Sequence, residues 1–195
     1  MIRGILLDLA GVIYEGEKAL PGALKAVDRL RHAGLSLRFV TNTTRMTKSM
    51  VLQRLSRLGL DVTDSELFTP AQAVREWLAR NDCSPSLLVH PNLVQEFENV
   101  PIRAHRAVVV GDAGEAFCYA SLNRAFRELI DGAQLIALAK NRSFKDADGL
   151  LSLDAGTFVA ALEFASQHKA LIFGKPAPEF LKPRLRAWTA RRNTP

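Results

Sequence analysis

The run GILLD at residues 4–8 closes on a single carboxylate, Asp8, and is followed by a glycine turn at Gly11. Three consecutive aliphatics, Ile5 to Leu7, leave this segment no polar side, so it predicts a strand buried on both faces. A strand of that kind belongs in a parallel sheet, and parallel strands need a crossover between them, commonly a helix. The sequence downstream supplies those crossovers. Pro21 predicts the first turn of a helix on which Leu24, Val27 and Leu30 recur at helical spacing, and Gly34 is its stop. LSLRFVTN then alternates Leu35, Leu37 and Phe39, predicting a second strand that ends at Thr41–Asn42. A helix from Lys48 to Leu58 follows, with Val51, Leu55 and Leu58 on one face. Thr63 and Glu66 have the spacing of a capping box, although the LFT after them reads equally as a short strand. Pro70 begins another helix, which passes through Trp77 and Leu78 and stops near Asn81.

From Cys83 to about Gln167 the same alternation repeats as a second α/β layer. Residues 86–90, 107–111 and 133–139 are its strand candidates, and 122–130 and 157–165 its helix candidates. Residues 169–180 then return to a strand ending at Gly174–Lys175. The expected division is a first core segment at 1–81, an α/β cap at 82–167, a further core segment at 168–182 and an atypical basic tail at 183–195.

Charge and cysteine usage narrow the function classes. The chain of 195 residues has a formal net charge of +6, but five of the basic residues, Lys182, Arg184, Arg186, Arg191 and Arg192, follow Glu179 without any acid among them. The excess belongs to the tail and not to a folded face, so no nucleic-acid partner is expected. No apolar stretch approaches the roughly 20 residues needed to span a bilayer, and the N-terminal run is interrupted by Asp8, so neither a membrane partner nor a secretory leader is expected. Cys83 and Cys118 match no metal or redox spacing and predict the reduced thiols of a cytoplasmic protein. His32, His90, His105 and His168 accompany no G-x-S-x-G elbow, and neither a Walker-type loop nor a complete G-x-G-x-x-G occurs.

Three strand ends carry chemistry. Asp8 offers a carboxylate, Thr41 and Asn42 offer hydrogen-bond donors, and Lys175 offers a cation. Ligands collect at the carboxyl ends of strands in open α/β sheets, so these groups are candidates to surround one phosphate. Phosphoryl transfer needs an in-line nucleophile with donors around the equatorial oxygens, and a carboxylate can be that nucleophile.

DLAGV (8–12), VTNTTR (40–45) and GKPAPEF (174–180) together resemble the first three motifs of the haloacid dehalogenase-like phosphatases. The α/β insert between the second and third resembles the NagD-like branch, which has a large cap. The resemblance runs from about residue 3 to 182. It implies a Rossmann-like core with an inserted α/β cap domain, and a Mg²⁺-dependent phosphatase working through an aspartyl-phosphate. By resemblance, Asp8 attacks phosphorus and holds Mg²⁺, and the main-chain carbonyl of Ala10 is a second metal ligand. Thr41 and Asn42 bind the phosphoryl group, and Lys175 neutralises it together with Asp8. Residues from about 141 to 156 close over the substrate.

Two departures from the family pattern shape the expected chemistry. Most of the superfamily has an acid at the position of Ala10, which protonates the leaving oxygen; general-acid help of that kind is worth ~10²–10⁴-fold. Its loss weighs most on alkyl phosphates and least on phosphoamides or pyrophosphate, so P–N or P–O–P bonds are the expected targets. The substrate partner is then a phosphorylated small molecule, a phosphoamino acid or pyrophosphate. The family's fourth, acid-rich motif should follow Lys175 by some tens of residues and is absent from this sequence. Asp112 in VVVGDAGE imitates it but lies before the lysine motif, which makes it a cap residue. Without the fourth motif the core is incomplete and the strand bearing Asp8 keeps an open edge, so an impaired phosphatase is expected. The alternatives are a catalytically inactive protein that binds phosphorylated ligands or a protein partner, and a homo-oligomer in which a second chain covers that edge.

Overall fold

Parallel pairing of two apolar strands organises the N-terminal part of the chain. The computed structural model describes residues 2, 4–146 and 148–181, so the basic tail at 183–195 lies outside the described residues. Two compact units are present. The first runs to Thr41 and again from Met46 to Thr69; the second contains Asn42–Arg45 and the described residues from Pro70 on.

In the first unit, β1 (Gly4–Asp8) is followed by a small antiparallel hairpin, β2 (Tyr14–Glu15) and β3 (Lys18–Ala19), which the sequence pattern did not reveal. Helix α1 (Ala23–His32) leads to β4 (Ser36–Val40), and α2 (Lys48–Arg57) leads to β5 (Leu67–Phe68). The sheet order is β1-β4-β5, all parallel, with Gly4 opposite Ser36 and Asp8 opposite Val40. Leu9, Val27, Leu37, Phe39, Val51, Leu55 and Leu67 fill the core between this sheet and its helices.

Two expectations need correction here. Strand β1 is half-buried along its whole length, not buried on both faces. Ile5 and Leu7 pack against the core, and alternation turns Leu6 to the other face; among the described residues β1 pairs along one edge only. Pro21 does not open α1. The helix starts at Ala23, after Gly22 takes the cap position with φ of +79°, a backbone angle that suits glycine. The capping box at Thr63 is present, with its N–H donating to Glu66 Oε2 at 2.9 Å, and the segment after it is the short strand β5.

The second unit begins with α3 (Pro70–Arg80) and β6 (Cys83–Leu88). After a short helix, α4 (Pro91–Val94), come β7 (His105–Val110), α5 (Tyr119–Ile130) and β8 (Gln134–Ala137). A hairpin of β9 (Ser143–Lys145) and β10 (Leu151–Leu153) precedes α6 (Ala155–Ser166) and β11 (Leu171–Ile172). The four-stranded sheet is parallel in the order β11-β8-β7-β6. Val108, Val110, Leu135 and Ala137 face Leu129 of α5 and Val159 and Leu162 of α6 across its core. Strand β6 starts three residues earlier than the sequence suggests and contains Pro85, which has no N–H to give. It occupies the end of the sheet, where a strand has one edge that needs no ladder partner. No helix among the described residues is long and apolar enough to cross a membrane.

Candidate active site

The first unit brings two of the expected site residues side by side. Asp8 ends β1 opposite Val40, so Thr41, one residue further along β4, emerges beside it at the same carboxyl end of the parallel pair. Thr41 is buried, and its N–H donates to the Phe68 carbonyl at 3.3 Å. The N–H of Leu9 donates to Asp8 Oδ1 at 2.7 Å, which fixes the carboxylate at the strand end. The chain then turns tightly: Val12, Ile13 and Tyr14 all direct their N–H groups to the Leu9 carbonyl, and Gly11 takes φ of +77°. Ala10 sits on this turn, exposed, and its carbonyl oxygen accepts no hydrogen bond among the described residues.

Tyr14 lies under the turn, with the Arg54 guanidinium 5.3 Å from its ring centre and Arg54 paired in turn with Glu17. Burial pushes the Tyr14 phenol up; the Arg54 charge opposes this, and the charge of Asp8 adds to it. The phenol is therefore kept neutral beside the carboxylate, a feature the sequence pattern did not single out.

The second unit joins the other two. Asn42 Nδ2 donates to the Lys175 carbonyl at 3.0 Å, and the Lys175 N–H donates to Asn42 Oδ1 at 2.6 Å. One carboxamide thus satisfies both main-chain groups of the lysine. Phe173 anchors the approach to this turn: it is buried, its N–H donates to the Ala137 carbonyl at 2.8 Å, and Trp77 meets it edge-on at 6.3 Å. Gly174 is required by space, because a Cβ there would lie 2.6 Å from the Leu138 carbonyl oxygen and 3.2 Å from Asn42 Oδ1. Asn42 is consequently a clamp on the lysine turn through its side chain. Replacing Asn42 with alanine is expected to cost about 1–3 kcal/mol, the net worth of two partly buried hydrogen bonds, read as a lowered urea midpoint.

Asp112 is buried and serves its own surroundings. It pairs with Arg45, accepts the Gly114 N–H at 3.0 Å on Oδ1, and gives its N–H to Thr44 Oγ1 at 3.1 Å. Among the described residues no group of three or more His, Cys, Asp or Glu side chains is arranged to hold a metal ion. At the end of β1 the carboxylate of Asp8 and, two residues on, the main-chain carbonyl of Ala10 are both oxygen donors. That is a hard-donor pair suited to Mg²⁺, which completes its octahedron with waters and substrate oxygens.

A parallel sheet carrying an acid at the end of β1 and a hydroxyl at the end of β4 is the frame of a phosphoryl-transfer fold, and the sequence matches the family model for haloacid dehalogenase-like hydrolases over residues 5–103. The chain belongs to that family. It is 42% identical over 187 residues to phospholysine phosphohistidine inorganic pyrophosphate phosphatase of Danio rerio, covering 93% of this chain and 69% of the relative. Its fold is that of NagD from E. coli K-12, with a TM-score of 0.81 at 24% identity over 95% of this chain and 74% of the other. Glycerol phosphate phosphatase from Mycobacterium tuberculosis, solved in complex with magnesium, is similar with a TM-score of 0.79 and 26% identity over 94% of this chain and 58% of that one.

Proposed function

We propose that the chain is a Mg²⁺-dependent phosphatase in which Asp8, Thr41, Asn42 and Lys175 act on one phosphoryl group. The observation that supports the reading is the register of Asp8 with Val40, by which Asp8 and Thr41 both come at the carboxyl end of a parallel strand pair. Asp8 attacks phosphorus, a bond forms to its carboxylate oxygen, and the bond to the leaving group breaks with its electron pair departing on that group. Water then attacks the aspartyl-phosphate, returning free phosphate and the carboxylate. Thr41 and the main chain at Asn42 donate to the equatorial oxygens, and the Lys175 ammonium balances their charge. Asp8 and the Ala10 carbonyl would hold Mg²⁺, which when bound supplies a Lewis acid for the phosphoryl oxygens.

With alanine at position 10 no side chain protonates the leaving group from that place. The favoured substrates are therefore P–N or P–O–P compounds, in keeping with the name of the Danio rerio relative. Turnover of phosphohistidine, pyrophosphate and a sugar phosphate, measured side by side with Mg²⁺, tests this; faster hydrolysis of the sugar phosphate would refute it. Ala10→Asp restores a general acid and is expected to raise sugar-phosphate turnover at least about tenfold, with little effect on pyrophosphate. An unchanged ratio between the two substrates would show that position 10 does not choose between them.

A further inference from the structure

Arg54 is a charged residue at the rim of the buried side of α2. It stands three residues after Val51 and one before Leu55, both fully buried in the core that also holds Leu9, Ile13 and Tyr14, and its own side chain is 24% exposed. An apolar residue would suit that rim, yet the guanidinium there serves three separate segments of the first unit. It lies over the Tyr14 ring of β2, pairs with Glu17 at the tip of the hairpin, and directs Nη1 to Met46 Sδ at 3.5 Å, just ahead of α2. One planar cation thus ties both β2 and the hairpin tip to the helix.

The hairpin needs such a tie. Its strands are two residues each, joined by Gly16 and Glu17, and a two-stranded ribbon alone is marginal in water. Its first residue also closes the turn that follows Asp8. Tyr14 gives its N–H to the Leu9 carbonyl at 3.2 Å and accepts the Gly11 N–H at 2.9 Å, so the turn carrying the Ala10 carbonyl goes where β2 goes. We propose that Arg54 is a positioning residue for the Asp8 end of β1: it holds the hairpin on α2 and thereby keeps the turn at 9–14 in one shape. This rests on the phosphatase reading above, in which that turn supplies an oxygen to Mg²⁺. Arg54 acts through the Tyr14 ring and main chain and not by meeting the phosphoryl group itself.

Hydrogen exchange on the full chain without metal reads the turn directly. Arg54→Met, which keeps an unbranched stem, should speed exchange at residues 9–19 about tenfold and leave the strands of the second unit unchanged. Calorimetric titration should show Mg²⁺ bound about tenfold more weakly. At saturating Mg²⁺, kcat for p-nitrophenyl phosphate should fall about tenfold with KM within about twofold. Arg54→Lys keeps the charge without the fork and should recover part of each loss. Glu17→Gln leaves α2 intact and should move the same readouts in the same direction, by about threefold. Unchanged exchange at 9–19 in Arg54→Met would overturn the assignment. So would faster exchange there with Mg²⁺ affinity and kcat equal to those of wild type, which would make Arg54 a structural tie alone. The phosphatase reading would stand in both cases. A wild type that neither binds Mg²⁺ nor turns over any phosphoryl donor would overturn that reading, and the assignment with it.

Discussion

Exchanging Asp8 for asparagine is expected to lower kcat/KM for any phosphoryl donor by at least ~10³-fold, a loss of about 4 kcal/mol of transition-state stabilisation. The amide is nearly isosteric and can still accept the Leu9 N–H through its oxygen, so the strand end should keep its shape. What disappears is the negative charge that, in the proposed reaction, makes the oxygen a nucleophile and a hard ligand. Steady-state hydrolysis of p-nitrophenyl phosphate with Mg²⁺ measures the loss, and an acid-quenched reaction looks for a phosphorylated chain in wild type alone. Variant activity within tenfold of wild type would remove Asp8 from the chemistry. A wild type inert toward every donor, yet able to bind orthophosphate, would favour the binding-protein alternative.

Gly156→Ala is expected to destabilise the fold by about 3 kcal/mol or more, although alanine is the better helix former by roughly 1 kcal/mol in an open helix. Gly156 lies in the first turn of α6, whose cap Asp154 accepts the Ala155 N–H at 2.6 Å. A Cβ at Gly156 would stand 2.3 Å from the Asn141 carbonyl oxygen and 2.6 Å from that of Lys140. Both are main-chain atoms, and Gly156 itself donates its N–H to Asn141 at 2.9 Å, so no flexible side chain can yield. The connection at Lys140–Asn141 or the helix has to move, and the segment displaced leads directly into β9 and Phe144. The urea midpoint should fall sharply with an unchanged slope. A midpoint equal to that of wild type would mean that α6 does not press on residues 140–141 as described.

The sequence exposes the helices of the first unit because each has a long enough apolar face: Val27 on α1 and Val51 and Leu55 on α2 are buried as their spacing requires. The hairpin of β9 and β10 was invisible for the opposite reason. Its strands are three residues each, with Leu151 and Leu153 exposed, so no periodicity marks them. At the candidate site, Asp8 and Thr41 could be named from strand ends. The clamp between Asn42 and Lys175 could not, because nothing in a side chain's identity says whether its amide will meet a ligand or a distant main chain. Nor could the pairing of Arg45 with Asp112 and Phe144 be read in advance, since an arginine after a turn is ordinarily a solvated surface charge.

The residues joined by that clamp are 133 apart in sequence. Closing so long a loop carries an entropic cost that two hydrogen bonds alone do not outweigh, so they form only when packing has already brought their ends together. The shape of the lysine turn is thereby tied to the far end of the second sheet: its main chain is held by the Asn42 carboxamide only where β11 has paired with β8 and Phe173 is anchored on Ala137.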